Sequence, residues 1–129
     1  MAWKIVIADD EPNIVTSLEF LMRRKGYEVW IARDGDEALS VVEQVLPDLL
    51  LLDVMMPGKS GYEVCRRLRE RPELRPLKIV MLTAKGRETE VSKGLSTGAD
   101  TYITKPFSSR DLMAIIAALL EGGAAPGKA

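Results

Sequence analysis

Five short runs rich in Ile, Val and Leu, at residues 3–8, 28–32, 48–52, 77–82 and 101–104, alternate along this chain with five stretches of helical period. The helical stretches cover residues 12–25, 36–46, 61–70, 87–97 and 108–120. The first places Ile14, Leu18, Leu21 and Met22 on one face, and the second does the same with Ala38, Leu39, Val42 and Leu46. Strands joined by helical crossovers run parallel, and each crossover must cover one face of the sheet they form. The third run, Leu49-Leu50-Leu51-Leu52 between Asp48 and Asp53, shows no polar alternation, as a strand covered on both faces requires. Pro12 suits a first helical turn and Gly26 stops the first helix. The fold class is α/β, a doubly wound five-stranded parallel sheet.

At 129 residues there is room for one core. The folded unit is expected to end near residue 120, with the Gly- and Ala-rich residues 121–129 a flexible tail or the start of a linker. Eighteen Lys plus Arg against nineteen Asp plus Glu give a formal charge of −1, so bulk basicity offers nothing to nucleic acid. His is absent and Cys65 stands alone, which excludes Ser-His triads, His-ligated metals, zinc held by cysteine pairs and an internal disulfide. The first apolar run is too short for a signal peptide or a membrane span, so a cytoplasmic protein without membrane contact is expected. Chemistry is left to carboxylates, Lys, hydroxyls and backbone.

Those residues fall in one place. Asp9 and Asp10 follow the first strand, Asp53 ends the third, Thr83 ends the fourth and Lys105 follows the fifth, all at carboxyl ends. In an open parallel sheet these ends share one edge, and ligands bind there at the topological switch point. An Asp capping the helix that starts near Pro12 accounts for one acid of the pair. Three converging carboxylates repel unless a cation sits among them, and with oxygen ligands only, magnesium is the natural choice. Lys105 and Thr83 add a cation and a hydroxyl donor, the parts needed to hold a phosphoryl group. Gly58-Lys59-Ser60 imitates the end of a P-loop, but the motif's first Gly would have to stand where Asp53 is. Met55, Met56, Pro57, Gly58 and Gly61 instead shape a tight loop that turns a backbone carbonyl toward the metal.

The motifs IVIADDE, LLLLDVMMPGKSG, VMLTA and GADTYITKPF, in this order, closely resemble those of the receiver domain of two-component response regulators, from Lys4 to about Leu120. The resemblance implies a flavodoxin-like (βα)5 fold of the chemotaxis-regulator kind, with strand order 2-1-3-4-5. It makes Asp53 the phosphoacceptor. Magnesium, or manganese in its place, would be bound by Asp10, Asp53 and the Met55 carbonyl, with Asp9 acting through water. Lys105, Thr83 and the neighbouring Ala84 would contact the phosphoryl group, and Thr83 and Tyr102 would form the switch. The Lys105–Pro106 peptide would be cis. A sensor histidine kinase or histidine phosphotransfer protein would donate the phosphoryl group, docking near Asn13, Ile14 and Phe107, and an output domain or target protein would read the result. Such a protein catalyses only its own phosphorylation and dephosphorylation and is not a turnover enzyme.

A homodimer through the predicted fourth helix, fifth strand and fifth helix is a further expectation, against which Val91, Ser96, Thr101 and Ile115 stand where charged partners are usual. In the fifth helix, Leu112, Ile115, Ile116 and Leu119 are expected to face the core, leaving Ala114, Ala117 and Ala118 outward with Met113 and Leu120 alongside. Three other readings compete. A flavodoxin-like cofactor binder needs a phosphate-cradling loop after the first strand, where Asp9, Asp10 and Glu11 stand instead. A metal-dependent phosphohydrolase commonly has a second Asp two residues after its nucleophile, where Met55 stands. A phosphorylation-independent pseudo-receiver is disfavoured by five filled site positions.

Overall fold

The computed structural model describes residues 2–84 and 98–122. Strands β1 (Lys4–Ala8), β2 (Glu28–Ala32), β3 (Leu49–Asp53), β4 (Lys78–Ala84) and β5 (Thr101–Lys105) form one parallel sheet in the order β2-β1-β3-β4-β5. Helices α1 (Pro12–Arg24), α2 (Gly35–Val45) and α3 (Gly61–Arg69) connect the first four strands, with a 3₁₀ turn at Pro72–Leu74 before β4, and a C-terminal helix, Ser109–Gly122, follows β5. The helix expected over residues 87–97 lies outside the described residues, as do Val91, Ser96 and residues 123–129. Glu121 and Gly122, expected in the tail, belong to the last turn of the C-terminal helix, since no breaker precedes the paired glycines at Gly122 and Gly123.

The period of two along each strand sorts the core into two layers. Ile5 and Ile7 of β1 and Leu49 and Leu51 of β3 pack with Val15, Leu18 and Met22 of α1 and with Leu112, Ile116 and Leu119 of the C-terminal helix. Val6, Ala8, Leu50 and Leu52 point the other way, against Ala38 and Val42 of α2 and Val64, Cys65 and Leu68 of α3. β3 is therefore buried along its whole length, which is why its sequence carries no alternation. Truncating one of its leucines to Ala should cost about 2–5 kcal/mol.

Local signals fix the helix starts. Asp34 caps α2 by accepting from the Glu37 N–H at 2.8 Å, while Glu37 reaches back to the Arg33 N–H at 2.9 Å. Ser60 caps α3 through the Glu63 N–H at 3.3 Å. At α1 neither Asp9 nor Asp10 is the cap. Glu11 holds that position without a side-chain cap bond, with Pro12 opening the helix, and Asp9 Oδ1 accepts from the Glu11 N–H at 2.9 Å. The C-terminal helix also departs from expectation. Met113 and Leu120 pack against the core, Ala117 and Ala118 are half-buried, and only Ala114 of the three alanines is exposed, because the helix beds on a broad apolar layer.

Candidate functional site

The chain reverses its winding direction between β1 and β3, whose neighbours in sequence lie on opposite sides of β1. The register sets Ala8 beside Leu52, Asp53 beside Leu82, Thr83 beside Thr104 and Ala84 beside Lys105. Asp53, Ala84 and Lys105 are the last residues of their strands, and Asp9 and Asp10 begin the loop after β1. Residues up to 96 positions apart in sequence thus meet at one sheet edge.

Asp9 is fully buried, Asp53 is 5% exposed and Asp10 lies open to solvent. A carboxylate oxygen from each lies within 4.8 Å of the others. Such an all-oxygen set of three acids suits a hard divalent cation. Burial and the charge of Asp9 push the Asp53 carboxyl up to about 6, while the Lys105 charge and the Met55 N–H, 3.1 Å from Asp53 Oδ1, pull the other way. Lys105 Nζ reaches Asp9 Oδ2 at 3.0 Å, Glu11 Oε1 at 2.8 Å and Asp53 Oδ2 at 3.4 Å. Burial would draw its pKa down, but the bonds to Glu11 and Asp9 and the Asp53 charge outweigh this and hold it at about 12. One lysine thus offsets part of a concentrated negative charge.

Thr83 Oγ1 is buried and has no hydrogen-bond partner, alone in this among the described residues. A buried hydroxyl left unpaired costs about 1–3 kcal/mol, so an orphan beside a Lys-carboxylate cluster marks a place where an acceptor is missing. The donor set therefore fits the magnesium and phosphoryl group expected from sequence. Ala84 is exposed at the end of β4, and the Lys105–Pro106 peptide is cis. Tyr102, on β5 beside Met81, is 41% exposed, and Met55 is 56% exposed. Asn13, Ile14 and Phe107 line one groove of about 300 Å³ with Ser17, Lys105 and Pro106.

Sequence reasoning passed over one participant in the site and one network at the opposite edge of the sheet. Glu11 is the shortest-distance partner of Lys105, although it stands 94 positions away. Its signal was the third acid in Asp9-Asp10-Glu11, read only as a barrier to phosphate. Arg69 donates to the carbonyls of Gly98 at 2.8 Å and Leu74 at 3.1 Å and to Asp100 Oδ2 at 2.9 Å, tying the end of α3 to the start of β5. Asp100 also accepts from the Ile79 N–H at 2.8 Å. Nothing in the spacing of these residues announces that network.

Residues 5–117 match the family model described as the response regulator receiver domain. The chain belongs to this family. The receiver is 50% identical over 117 residues to the phosphate regulon transcriptional regulatory protein PhoB of Rhizobium meliloti (strain 1021), covering 91% of this chain and 52% of that relative, so it spans about half the relative's length. Its fold matches the response regulator DrrB of Thermotoga maritima, an OmpR/PhoB homologue, with a TM-score of 0.86 at 32% identity over 97% of this chain and 55% of that one. It matches the chemotaxis response regulator CheY4 of Vibrio cholerae with a TM-score of 0.87 at 28% identity, over 93% of this chain and all of that one. The receiver is part of a two-component system, and neither a cofactor-binding flavodoxin nor a pseudo-receiver finds support among these relatives. No helix among its described residues is long and apolar enough to cross a membrane.

Proposed function

We propose that this receiver accepts a phosphoryl group on Asp53 from a histidine kinase or histidine phosphotransfer protein, and that the resulting aspartyl phosphate changes the surface read by an output domain or target protein. The observation that carries the reading is the unpartnered, buried Thr83 hydroxyl at the sheet edge where Asp53 and Lys105 meet. A phosphoryl oxygen supplies the acceptor that Thr83 lacks.

Asp10, Asp53 and the backbone carbonyl of Met55 would hold magnesium, with Asp9 acting through water, and manganese would serve in its place. Bound there, the ion offsets negative charge on the carboxylates and the transferring group. The chain's own residues do the rest. The Met55 N–H fixes the orientation of the Asp53 carboxylate through Oδ1. An Asp53 oxygen attacks phosphorus in line, the P–N bond to the donor's imidazole breaks, and that imidazole leaves with its electron pair. Lys105 stands 3.4 Å from Asp53 Oδ2, within reach of the phosphoryl oxygens. Thr83 donates to one of them, with Ala84 beside it, and the Tyr102 ring turns into the space Thr83 leaves. Later attack by water on phosphorus returns Asp53 to its carboxylate. The domain catalyses only these two steps on itself.

The donor would dock over the groove containing Asn13, Ile14 and Phe107, which opens beside Lys105. The receiver unit would end near residue 120 and lead into a tail or linker, and the protein would work in the cytoplasm without direct contact of this domain with nucleic acid or membrane. Fluorine NMR with beryllium and fluoride tests the site. A bound beryllofluoride signal should appear with magnesium, disappear with EDTA and be absent from Asp53→Asn. A signal that persists in Asp53→Asn refutes the assignment.

A further inference from the structure

Between β3 and α3 the chain passes from the candidate phosphoacceptor through Met55 to Lys59, and this loop is held from outside the site. At its far end Gly61 lies so close to β3 that a Cβ there would fall 2.6 Å from the Asp53 carbonyl oxygen, and its N–H bonds the Val54 carbonyl at 3.0 Å. In its middle the loop leans on the first turn of α2. The Gly35 N–H donates to the Pro57 carbonyl at 3.3 Å, and a Cβ on Gly35 would stand 2.3 Å from the Lys59 carbonyl oxygen and 2.7 Å from Lys59 Cβ. The Asp36 carboxylate and the Lys59 ammonium form an ion pair across the same contact. Gly35 is buried, so this close approach is part of the packed structure.

We propose that the first turn of α2 is a positioning element for the metal and phosphoryl site: Gly35 and Asp36 hold Pro57 and Lys59, and through them the backbone shape of the Met55 segment. The inference rests on the reading of Asp10, Asp53 and Met55 as magnesium ligands. Neither Gly35 nor Asp36 touches that cluster, so both act through the loop. The device has a physical logic, because a backbone carbonyl cannot be steered by its own side chain and must be set by what the neighbouring backbone leans on. A side chain at position 35 would force the loop away from α2.

Magnesium titration of the metal-free protein, followed by the amide signals of Asp53 and Met55 in ¹⁵N-resolved NMR, tests it. In the wild type both should shift and saturate. Gly35→Ala should shift the Met55 amide before any metal is added and weaken magnesium binding about tenfold, the scale of loss when a residue supporting a ligand is removed. Lys59→Met separates positioning from electrostatics and covers the case in which Gly35→Ala does not fold. Deleting a cation near an acidic site would tighten magnesium binding if charge alone mattered, whereas loss of the tether should weaken it, by about threefold for a partly exposed pair. Asp36→Asn/Lys59→Met should weaken it no further than Lys59→Met. If the wild type binds magnesium and Lys59→Met binds it equally or more tightly, the positioning role is overturned and the metal site stands. If the wild type shows no saturable shift, the metal reading itself falls and takes this inference with it.

Discussion

The ammonium of Lys105 stands 3.4 Å from the carboxylate of Asp53 but 3.0 Å from that of Asp9, so in the resting protein it leans away from the residue it is to assist. Glu11, at 2.8 Å, draws it further toward the surface. Lys105→Met should therefore act first on stability. It strips from two buried carboxylates the only cation paired with them among the described residues, and about 3–5 kcal/mol should be lost in EDTA at neutral pH, as for other buried pairs broken from one side. Glu11→Gln should cost under about 1 kcal/mol, because that carboxylate is exposed. Urea denaturation of the two variants checks the contrast, and equal losses would contradict it.

The raised pKa of Asp53 gives a pH dependence with a definite sign. Unfolded, the group titrates near 3.8, and folded near 6 without metal. Between these values the native state holds the proton more tightly, so this contribution to stability is complete below the lower value and is lost as pH rises through the higher. In EDTA the loss should approach about 3 kcal/mol, the equivalent of two pKa units. Asp53→Asn should flatten the curve between pH 4 and 7 and leave the metal-free protein more stable than wild type at pH 7. Denaturant midpoints across that range, with and without magnesium, decide it.

Thr83→Val should separate stability from function. The hydroxyl has no partner in the resting state, so replacing it with an isosteric methyl gives up no hydrogen bond and should leave stability unchanged or raise it by about 1 kcal/mol. Affinity for beryllofluoride should fall, because one donor to the phosphoryl mimic is gone. A variant that is clearly destabilised would show that the hydroxyl already has a use without phosphate.

Much of this was legible because a parallel sheet turns position along the chain into position in space. Once residues 48–52 are read as a strand covered on both faces, Asp53 must sit at the ligand-binding edge, and the same argument places Asp9, Thr83 and Lys105 there. Pairings between loops were not legible. Periodicity carries no information about which side chain a loop acid meets, so the contact of Glu11 with Lys105, the Asp36–Lys59 tether and the carbonyl grip of Arg69 emerge only from the folded geometry. Burial also divides the adjacent pair: Asp9 lies inside and Asp10 outside, although the sequence offers two identical acids.

Met55, two residues beyond Asp53, is 56% exposed at the rim of the site and presents no group that orients water strongly. Met55→Asn should therefore shorten the lifetime of the phosphorylated state severalfold, since an amide can align the attacking water. Decay followed by loss of phosphoryl mass gives the comparison. Lys85, two residues beyond Thr83, lies outside the described residues.

The central claim is that Asp53 is the phosphoacceptor and that magnesium is required. Incubation with acetyl phosphate and magnesium, followed by intact mass measurement and peptide mapping after borohydride reduction, tests it most directly. Wild type should gain one phosphoryl group, mapped to the peptide containing Asp53, and gain none in EDTA, while Asp53→Asn should gain none in either condition. Equal labelling of Asp53→Asn, or labelling of wild type that is unaffected by EDTA, would contradict the account.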